Sequence, residues 1–216
     1  MSRIRAVALC LVAAFVMSAA PSALAALPEF SPPFPKTFTS TSKASTLETV
    51  GKTKVKCTAD TDAGQITGPN TGNVTIKFTG CETKGFACNS PGAAAGEIAS
   101  HGLSSTVGYV NRKTKEVGID YSNPAGAILA EFQCGNVLGV VRGSVIGKIT
   151  PVNNVVKPPG HFTVKFSQKA GTQKITKFAG KPIDILETAL NGGPFEPSGL
   201  SSTDLIRFAE PVVIKA

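Results

Sequence analysis

Cysteines are the residues whose chemistry this sequence defines best. Four of them, Cys57, Cys81, Cys88 and Cys134, lie in the body of the chain, whereas Cys10 lies in an apolar N-terminal run. The first 25 residues have the layout of a signal for export, and in an exported chain an even cysteine set predicts two disulfide bonds. Zinc ligands usually come as closer cysteine pairs than Cys81 and Cys88, so we predict disulfides and no metal site.

The disulfide pairing follows less directly from the sequence. Turn-forming residues at Gly68–Gly72 lie midway between Cys57 and Cys81. A hairpin about this turn would place those two cysteines opposite each other, within reach of a disulfide. Cys88 would then pair with Cys134. The alternative pairing, Cys81–Cys88 as a small loop with Cys57–Cys134, remains open at this stage.

Hydrolytic chemistry has only scattered candidates. His101 could serve as a base, and Asp60, Asp62 or Asp120 could orient it, but the nucleophile of a serine hydrolase is missing. The segment Gly143–Gly147 contains a serine, yet it lacks the Gly-x-Ser-x-Gly spacing and reads as a strand. Asp60 and Asp62 lack the further ligands of a calcium loop and are expected in a turn or an exposed strand. We therefore assign no catalytic, cofactor-binding or metal-binding residue.

The N-terminus has the layout of a secretory signal peptide. Arg3 and Arg5 precede an apolar run over residues 6–20, and the small-residue site Ala23–Ala25 follows. We predict that residues 1–25 are removed and that the mature, secreted chain begins at Ala26. The protein is then extracellular or associated with the cell envelope.

Composition narrows the classes of partner. The net charge is +8, from 22 basic and 14 acidic residues, and no run of five like charges occurs. A nucleic-acid surface would need a basic stripe interleaved with aromatic residues, so we expect no nucleic-acid partner. No second apolar stretch is long enough for a transmembrane helix in the mature chain. An envelope or extracellular protein partner fits this composition.

Short strands dominate the rest of the chain. In Val74–Phe78 and Phe162–Phe166, apolar and polar residues alternate with the period of a half-buried strand. The 22 glycines and 15 prolines leave little room for long helices. We predict an all-β fold over residues 37–216, a single antiparallel sandwich or barrel-like domain of many short strands with two disulfides.

Three segments carry more specific expectations. The Pro-rich leader, residues 26–36, is predicted to be a stiff tether that takes no part in a strand ladder. The run Val137–Val141 is apolar at nearly every position, which is typical of a central strand covered on both faces. Residues 125–132 fit either a helix or a strand.

Several blocks resemble one family of bacterial secreted proteins. They are CTADTDAGQITGPNTGNVTIKFTGC (57–81), CNSPGAAAGEIASHGLSSTVGYV (88–110) and RGSVIGKITPVN (142–153), and the C-terminal residues 199–216 resemble the family as well. The resemblance implies a secreted, β-rich protein. It supplies no activity and no catalytic residue.

Together these observations predict a secreted, non-enzymatic β-domain with a binding or structural role. A secreted hydrolase with an unrecognised site, or a secreted protein inhibitor or effector, is the alternative. A deep cleft with converging His, Asp or Glu side chains would favour the hydrolase. A protruding, disulfide-braced loop near Cys81–Cys88 would favour the inhibitor.

Overall fold

The structure is a computed structural model that describes residues 26–123, 127–179 and 181–216; the predicted signal peptide, residues 1–25, lies outside the described residues. The described chain forms strands and no helix, which confirms the all-β prediction. The ambiguous stretch before Cys134 is a strand, Ile128–Cys134.

In chain order the strands are β1 (Glu29–Phe30), β2 (Lys36–Ser42), β3 (Ser45–Thr49), β4 (Lys54–Cys57), β5 (Ala59–Ile66), β6 (Thr71–Thr79), β7 (Glu82–Thr83), β8 (Phe86–Asn89), β9 (Ile98–Ala99), β10 (Leu103–Asn111), β11 (Glu116–Ser122), β12 (Ile128–Cys134), β13 (Val137–Arg142), β14 (Ser144–Thr150), β15 (Phe162–Phe166), β16 (Gln168–Lys169), β17 (Thr172–Gln173), β18 (Lys177–Phe178), β19 (Lys181–Pro182), β20 (Glu187–Leu190), β21 (Glu196–Phe208) and β22 (Ile214–Lys215).

Eight of these strands close into an antiparallel barrel. Its order is β15-β14-β11-β10-β6-β5-β2-β21, and the pairing of β21 with β15 closes it. The structure thus decides between the two predicted architectures in favour of a barrel. Closure removes the exposed strand edges that an open sheet would leave.

The 13-residue strand β21 belongs to two sets of pairings. Its second half, Ser202–Phe208, lies in the barrel between β15 and β2. Its first half pairs with β20 through Glu196 and Pro197 and with β3 through Ser198–Ser201. From there β20, β13, β12, β8, β7, β4 and β3 complete a second circuit, the small ring, which returns to β21.

The barrel interior has two chemically different halves. The aromatic half consists of Phe30, Phe38, Phe162 and Phe208, whose ring centroids lie 5.7–6.5 Å apart in the contacting pairs. Gly64 makes room for it, since a Cβ there would lie 2.4 Å from Phe38 Cζ. The barrel therefore fills this end with rings rather than leaving a lumen.

The acidic half occupies the same face of the strands further along. It consists of Asp60, Asp62, Tyr121 and Asp204, all at most 4% exposed. Asp204 precedes Phe208 by four residues on β21. Because alternate residues share a face and each residue rises about 3.3 Å, the two halves are separated by about 13 Å along the strand.

Both disulfides lie in or beside the small ring. Cys57 is bonded to Cys81 and Cys88 to Cys134, which confirms the favoured pairing. The hairpin of β5 and β6 turns after Ile66, as the turn residues predicted, and its register places Ala59 opposite Thr79. The ends of the two strands thus bring the first cysteine pair together.

An apolar cavity lies between the small ring and the barrel. Its volume is about 90 Å³, and its lining includes Leu47, Val55, Phe132, Leu186 and Leu200. A space of this size corresponds to about three water molecules at about 30 Å³ each. It is too small for a lipid or a sugar and is part of the core.

The expectation for the Pro-rich leader was wrong. Glu29 pairs with Lys215 and Phe30 with Ile214, and the Phe30 amide donates to the Pro69 carbonyl at 2.6 Å. Phe30 is 4% exposed, because its ring contacts Phe162 and Phe208 at the end of the barrel. One apolar side chain is enough to dock a segment whose prolines otherwise favour a tether.

The run Val137–Val141 is central in its ladder, since β13 pairs with both β12 and β20. It is not covered on both faces: Leu138 is 54% exposed. The alternate residues Gly139 and Val141 face inward and are buried. The apolar composition therefore misled the prediction on one face of the strand.

Candidate functional site

A polar groove opens where β21 changes partners. On one side β15 ends at Phe166, and on the other β2 ends at Ser42 before β3 begins at Ser45. The resulting gap, here called the split groove, is lined by residues 41–44, 46, 165–168, 174, 201–203 and 205 and has a volume of about 710 Å³. Its size falls within the range of small-molecule sites.

The lining of the split groove is cationic and rich in hydroxyl groups. Lys43, Lys165 and Lys174 are exposed, and none of the described lining residues is acidic. Hydroxyl and amide groups contribute the other polar atoms, from Thr41, Ser42, Thr46, Ser167, Gln168, Ser201, Ser202 and Thr203. Such a surface attracts anions and can hydrogen-bond their oxygens.

Two serines connect the split groove with the acidic half of the barrel. Ser42 Oγ donates to Asp60 Oδ2 at 2.5 Å. Ser202 Oγ donates to Asp204 Oδ1 and lies 3.5 Å from Asp60 Oδ2. Both serines also line the groove, so a single side chain separates the groove from the buried carboxyl groups.

Several buried polar atoms of the acidic half lack a hydrogen-bond partner among the described residues. They include both carboxyl oxygens of Asp62, one oxygen of Asp60, the Tyr121 hydroxyl and Oγ of Ser40. Leaving such groups unpaired in a barrel interior is costly, by about 1–3 kcal/mol for each neutral group. The acidic half therefore lowers the stability of the fold.

Burial raises the pKa of all three aspartates in this half. The pKa of Asp62 rises to about 7 through burial and the neighbouring charge of Asp60. The pKa of Asp204 rises to about 8 through burial and the charges of Asp60 and Asp62. Burial also raises the pKa of Asp60, against the hydrogen bond from Ser42, and raises the pKa of Tyr121 well above its ordinary value.

The three aspartates are unsuited to act on a substrate directly. Asp60, Asp62 and Asp204 are 2%, 4% and 3% exposed, so no substrate atom reaches them without displacing Ser42 or Ser202. In the described parts of the chain, no group of three or more His, Cys, Asp or Glu side chains has an arrangement that could hold a metal ion. What the cluster can do is take up and release protons beneath the groove.

The residues singled out from sequence occupy separate places. His101 is exposed, and its amide donates to the Leu129 carbonyl. Ser144 is 4% exposed and its hydroxyl donates to the Asp184 carbonyl at 2.6 Å. Asp120 faces outward on β11, where burial raises its pKa to about 6.

Asp60 and Asp62 contradict the sequence expectation most clearly. They were expected in a turn or an exposed strand, but β5 turns both side chains into the barrel and leaves Thr61 and Ala63 exposed. Asp204 and the groove lysines were not singled out at all. The alternation of Asp60, Thr61 and Asp62 was a usable signal for a strand, but it does not reveal which face is buried.

The cysteines frame a short exposed hairpin. Strand β7 follows Cys81 and pairs with β8, which contains Cys88, and each cysteine is bonded to a partner elsewhere in the chain. Phe86 on this hairpin is 60% exposed, and its ring lies over Gly135.

Comparison with known proteins found no protein-family model, curated protein or solved structure that matches this chain. None of the described residues lies in a helix long and apolar enough to cross a membrane.

Proposed function

We propose that this chain is a secreted, non-enzymatic β-domain that binds an anionic polysaccharide in the split groove. The observation that carries the proposal is the groove lining: three exposed lysines, many hydroxyl groups and, among its described residues, no carboxylate. The signal-peptide pattern and the resemblance to bacterial secreted proteins support the extracellular setting. An exported protein reaches the cell envelope or the medium, where acidic glycans occur.

The choice of ligand follows from the chemistry of the lining. Lysine ammonium groups act as point charges that suit sulfate, phosphate or carboxylate groups without demanding one geometry. The groove has no exposed aromatic ring for stacking bases, since Phe166 is 2% exposed. A ligand that offers oxyanions and hydroxyl groups fits better than single-stranded nucleic acid, whose binding relies on stacking.

A binding assay with defined polymers tests the proposal. Dextran sulfate, polygalacturonate and polyphosphate are compared with uncharged dextran, using the mature chain from Ala26. Replacing Lys43, Lys165 and Lys174 together by alanine should weaken binding of the preferred polyanion about tenfold, since exposed charge pairs are worth about 0.5 kcal/mol each. Stronger binding of polyphosphate than of either acidic glycan would contradict the polysaccharide assignment.

A second triple variant controls for total charge. Lys84, Lys113 and Lys157 are exposed and lie outside the groove lining. Their joint replacement by alanine removes the same charge and should change affinity by less than about threefold. Equal losses in both triple variants would show that only the overall positive charge attracts the polymer. That result would remove the groove from the proposal.

Export is tested separately. The protein recovered from the culture medium or envelope should begin at Ala26 or one residue later, because small residues at positions 23 and 25 define the cleavage site. N-terminal sequencing measures this. Extracellular protein that retains Met1 would contradict the proposed processing.

A further inference from the structure

The buried aspartates lie where they can act on the split groove. Asp60 accepts a hydrogen bond from Ser42, and Asp204 accepts one from Ser202. These two serines form part of the groove lining, so the carboxyl groups are the second layer beneath the ligand position. At such short range and in a poorly hydrated interior, a charge is weakly screened.

The charges of the two layers oppose each other. The groove carries three lysines, and the acidic half carries three aspartates. When Asp62 and Asp204 are neutral, the lysine charges predominate and the groove is cationic. When the carboxyl groups ionise, they offset the lysine charges from below and the attraction for an anion falls.

We infer that protonation of Asp62 and Asp204 controls anion binding in the split groove: the neutral carboxyl groups permit binding, and their ionised forms release the anion. This inference rests on the proposed function of the groove. It assigns a regulatory role to a cluster that no substrate can reach. Two unpartnered, buried hydroxyl groups, those of Tyr121 and Ser40, belong to the same half of the barrel and mark it as unusually polar.

The groups that face the cluster are few. Strand β5 contributes Asp60 and Asp62, β21 contributes Asp204, and β11 contributes Tyr121. The neighbouring inward positions carry no further charge: they include Ser40 and Ser42 on β2, Ile76 and Phe78 on β6, Ser105 on β10, Val145 on β14, Phe166 on β15 and Ser202 on β21.

Other charged groups lie outside the cluster and the groove lining. Arg207 donates a hydrogen bond from Nη1 to Oγ1 of the groove residue Thr41. Lys36 lies at the opposite end of the barrel and pairs with Glu210. Glu48 lies beside the groove, where Gln168 and Lys54 lower its pKa, so its charge is constant when the aspartates titrate.

The transition falls in an accessible pH range. Burial raises the pKa of Asp62 to about 7 and that of Asp204 to about 8. Neither histidine lines the groove. Binding should therefore weaken between about pH 6 and pH 9 because of the aspartates.

Linkage gives a second, independent consequence. If protonation strengthens anion binding, then bound anion must raise the pKa of the aspartates by the same coupling free energy. Binding near pH 8 should then take up protons from the buffer. Calorimetric titration in two buffers of different ionisation enthalpy counts these protons.

The experiment uses dextran sulfate, whose sulfate groups stay ionised throughout, and the mature chain. We expect the affinity of the wild-type protein to fall about tenfold or more from about pH 6 to about pH 9, a typical coupling between two sites. In the double variant Asp62→Asn/Asp204→Asn, the affinity should vary less than about threefold and proton uptake should be lost.

The chain offers a matched control in Asp120. Its carboxyl group is also largely buried, with a pKa raised to about 6, but it faces outward on β11 beside Ser144 rather than into the barrel. Asp120→Asn should keep the wild-type pH dependence. If the double variant is not folded by circular dichroism, proton uptake by the wild-type protein decides the question.

The outcomes separate the two proposals. A wild-type affinity for dextran sulfate that does not change with pH overturns the regulatory inference and leaves the groove as a binding site. An equal fall in the double variant overturns it as well, because the titrating group then lies elsewhere. Absence of binding to every polyanion at every pH overturns the proposed function itself.

Discussion

The two halves of the barrel interior are built on the same strands, but one half buries aromatic side chains and the other buries carboxyl groups. Phe38 and Phe208 fill the aromatic half, whereas Asp60, Asp62 and Asp204 occupy equivalent inward positions in the acidic half. The first half buries apolar surface, which stabilises folding. The second buries carboxyl groups, two with unpaired oxygens, which opposes it.

The contrast indicates that one half of the barrel interior stabilises the fold and that the other half is shaped by function. A barrel that needed only to be stable would carry apolar residues along its whole interior. Departures from that rule are expected at functional sites, where a cost in one place is offset elsewhere. Here the costly half is the one that adjoins the split groove, and the aromatic half supplies the compensation.

The largest effect is expected in the aromatic half. Phe208 contacts the rings of Phe30, Phe38 and Phe162, with centroids 6.3, 5.7 and 6.0 Å away. Phe208→Ala should lower the free energy of unfolding by about 3–5 kcal/mol, because it removes buried apolar surface and leaves a cavity. Denaturant titration monitored by circular dichroism measures the change.

Phe86→Ala provides the control for the aromatic half. Phe86 is 60% exposed, so its replacement should cost less than about 1 kcal/mol. Comparable losses in the two variants would mean that the four-ring cluster contributes nothing special, and the contrast between the two halves would fail.

A smaller effect of opposite sign is expected from Asp204→Asn. The folded chain holds the Asp204 proton to about pH 8, whereas the unfolded chain loses it near its ordinary pKa of 3.8. Folding thus takes up protons between these values, and stability falls as pH rises through this window. The asparagine variant should be more stable than wild type at about pH 8.5, by on the order of 2 kcal/mol.

The pH dependence makes this prediction specific. Near about pH 4 the wild-type carboxyl group is neutral, and the two proteins should differ by less than about 0.5 kcal/mol. Thermal melts at both pH values measure the difference. A variant that is less stable than wild type at about pH 8.5 would contradict the account of the acidic half.

The aromatic half contains one charged residue of its own, and that charge is paired. Lys36 is 3% exposed, lies on the same face of β2 as Phe38, and its Nζ is 2.7 Å from Glu210 Oε1. Glu210→Gln should destabilise the protein by about 1 kcal/mol, since the half-exposed carboxylate is partly screened by water. Lys36→Met should cost less than Glu210→Gln, because it removes the buried charge rather than its partner. Denaturation curves of the two variants at low salt provide the comparison.

Sequence pattern predicted the fold far better than the site. Alternation in segments such as Val74–Phe78, with frequent glycine and proline, was enough to predict an all-β domain. The turn at Gly68–Gly72 favoured the disulfide pairing that the structure has, but left the alternative open. The same alternation does not state which face is inside. In β5 the polar residues Asp60 and Asp62 are buried, and only closure of the barrel decides this.

The split groove could not be predicted from the sequence for a related reason. Its walls come from residues 41–46, 165–174 and 201–205, the first of which lies about 120–160 positions from the other two. The three segments meet only because β21 pairs with different strands along its length. Lys43, Lys165 and Lys174 have no common spacing. The Pro-rich leader is a different case: its proline content predicted a free tether, but the strand that contains Phe30 pairs with the C-terminal strand β22.

The smallest predicted effect concerns the hydroxyl group of Tyr121. Its ring is fully buried and packs against Phe166 with centroids 5.6 Å apart, while its hydroxyl has no partner among the described residues. Tyr121→Phe keeps the ring and removes only the unpaired oxygen, so the variant should be as stable as wild type or more stable by up to about 1 kcal/mol.

Phe166→Leu serves as a comparison for the packing of that ring and should destabilise. A loss of more than about 1 kcal/mol in Tyr121→Phe would reveal that the hydroxyl is hydrogen-bonded in solution. The acidic half would then be better satisfied than its geometry indicates. Its contrast with the aromatic half would rest on the aspartates alone.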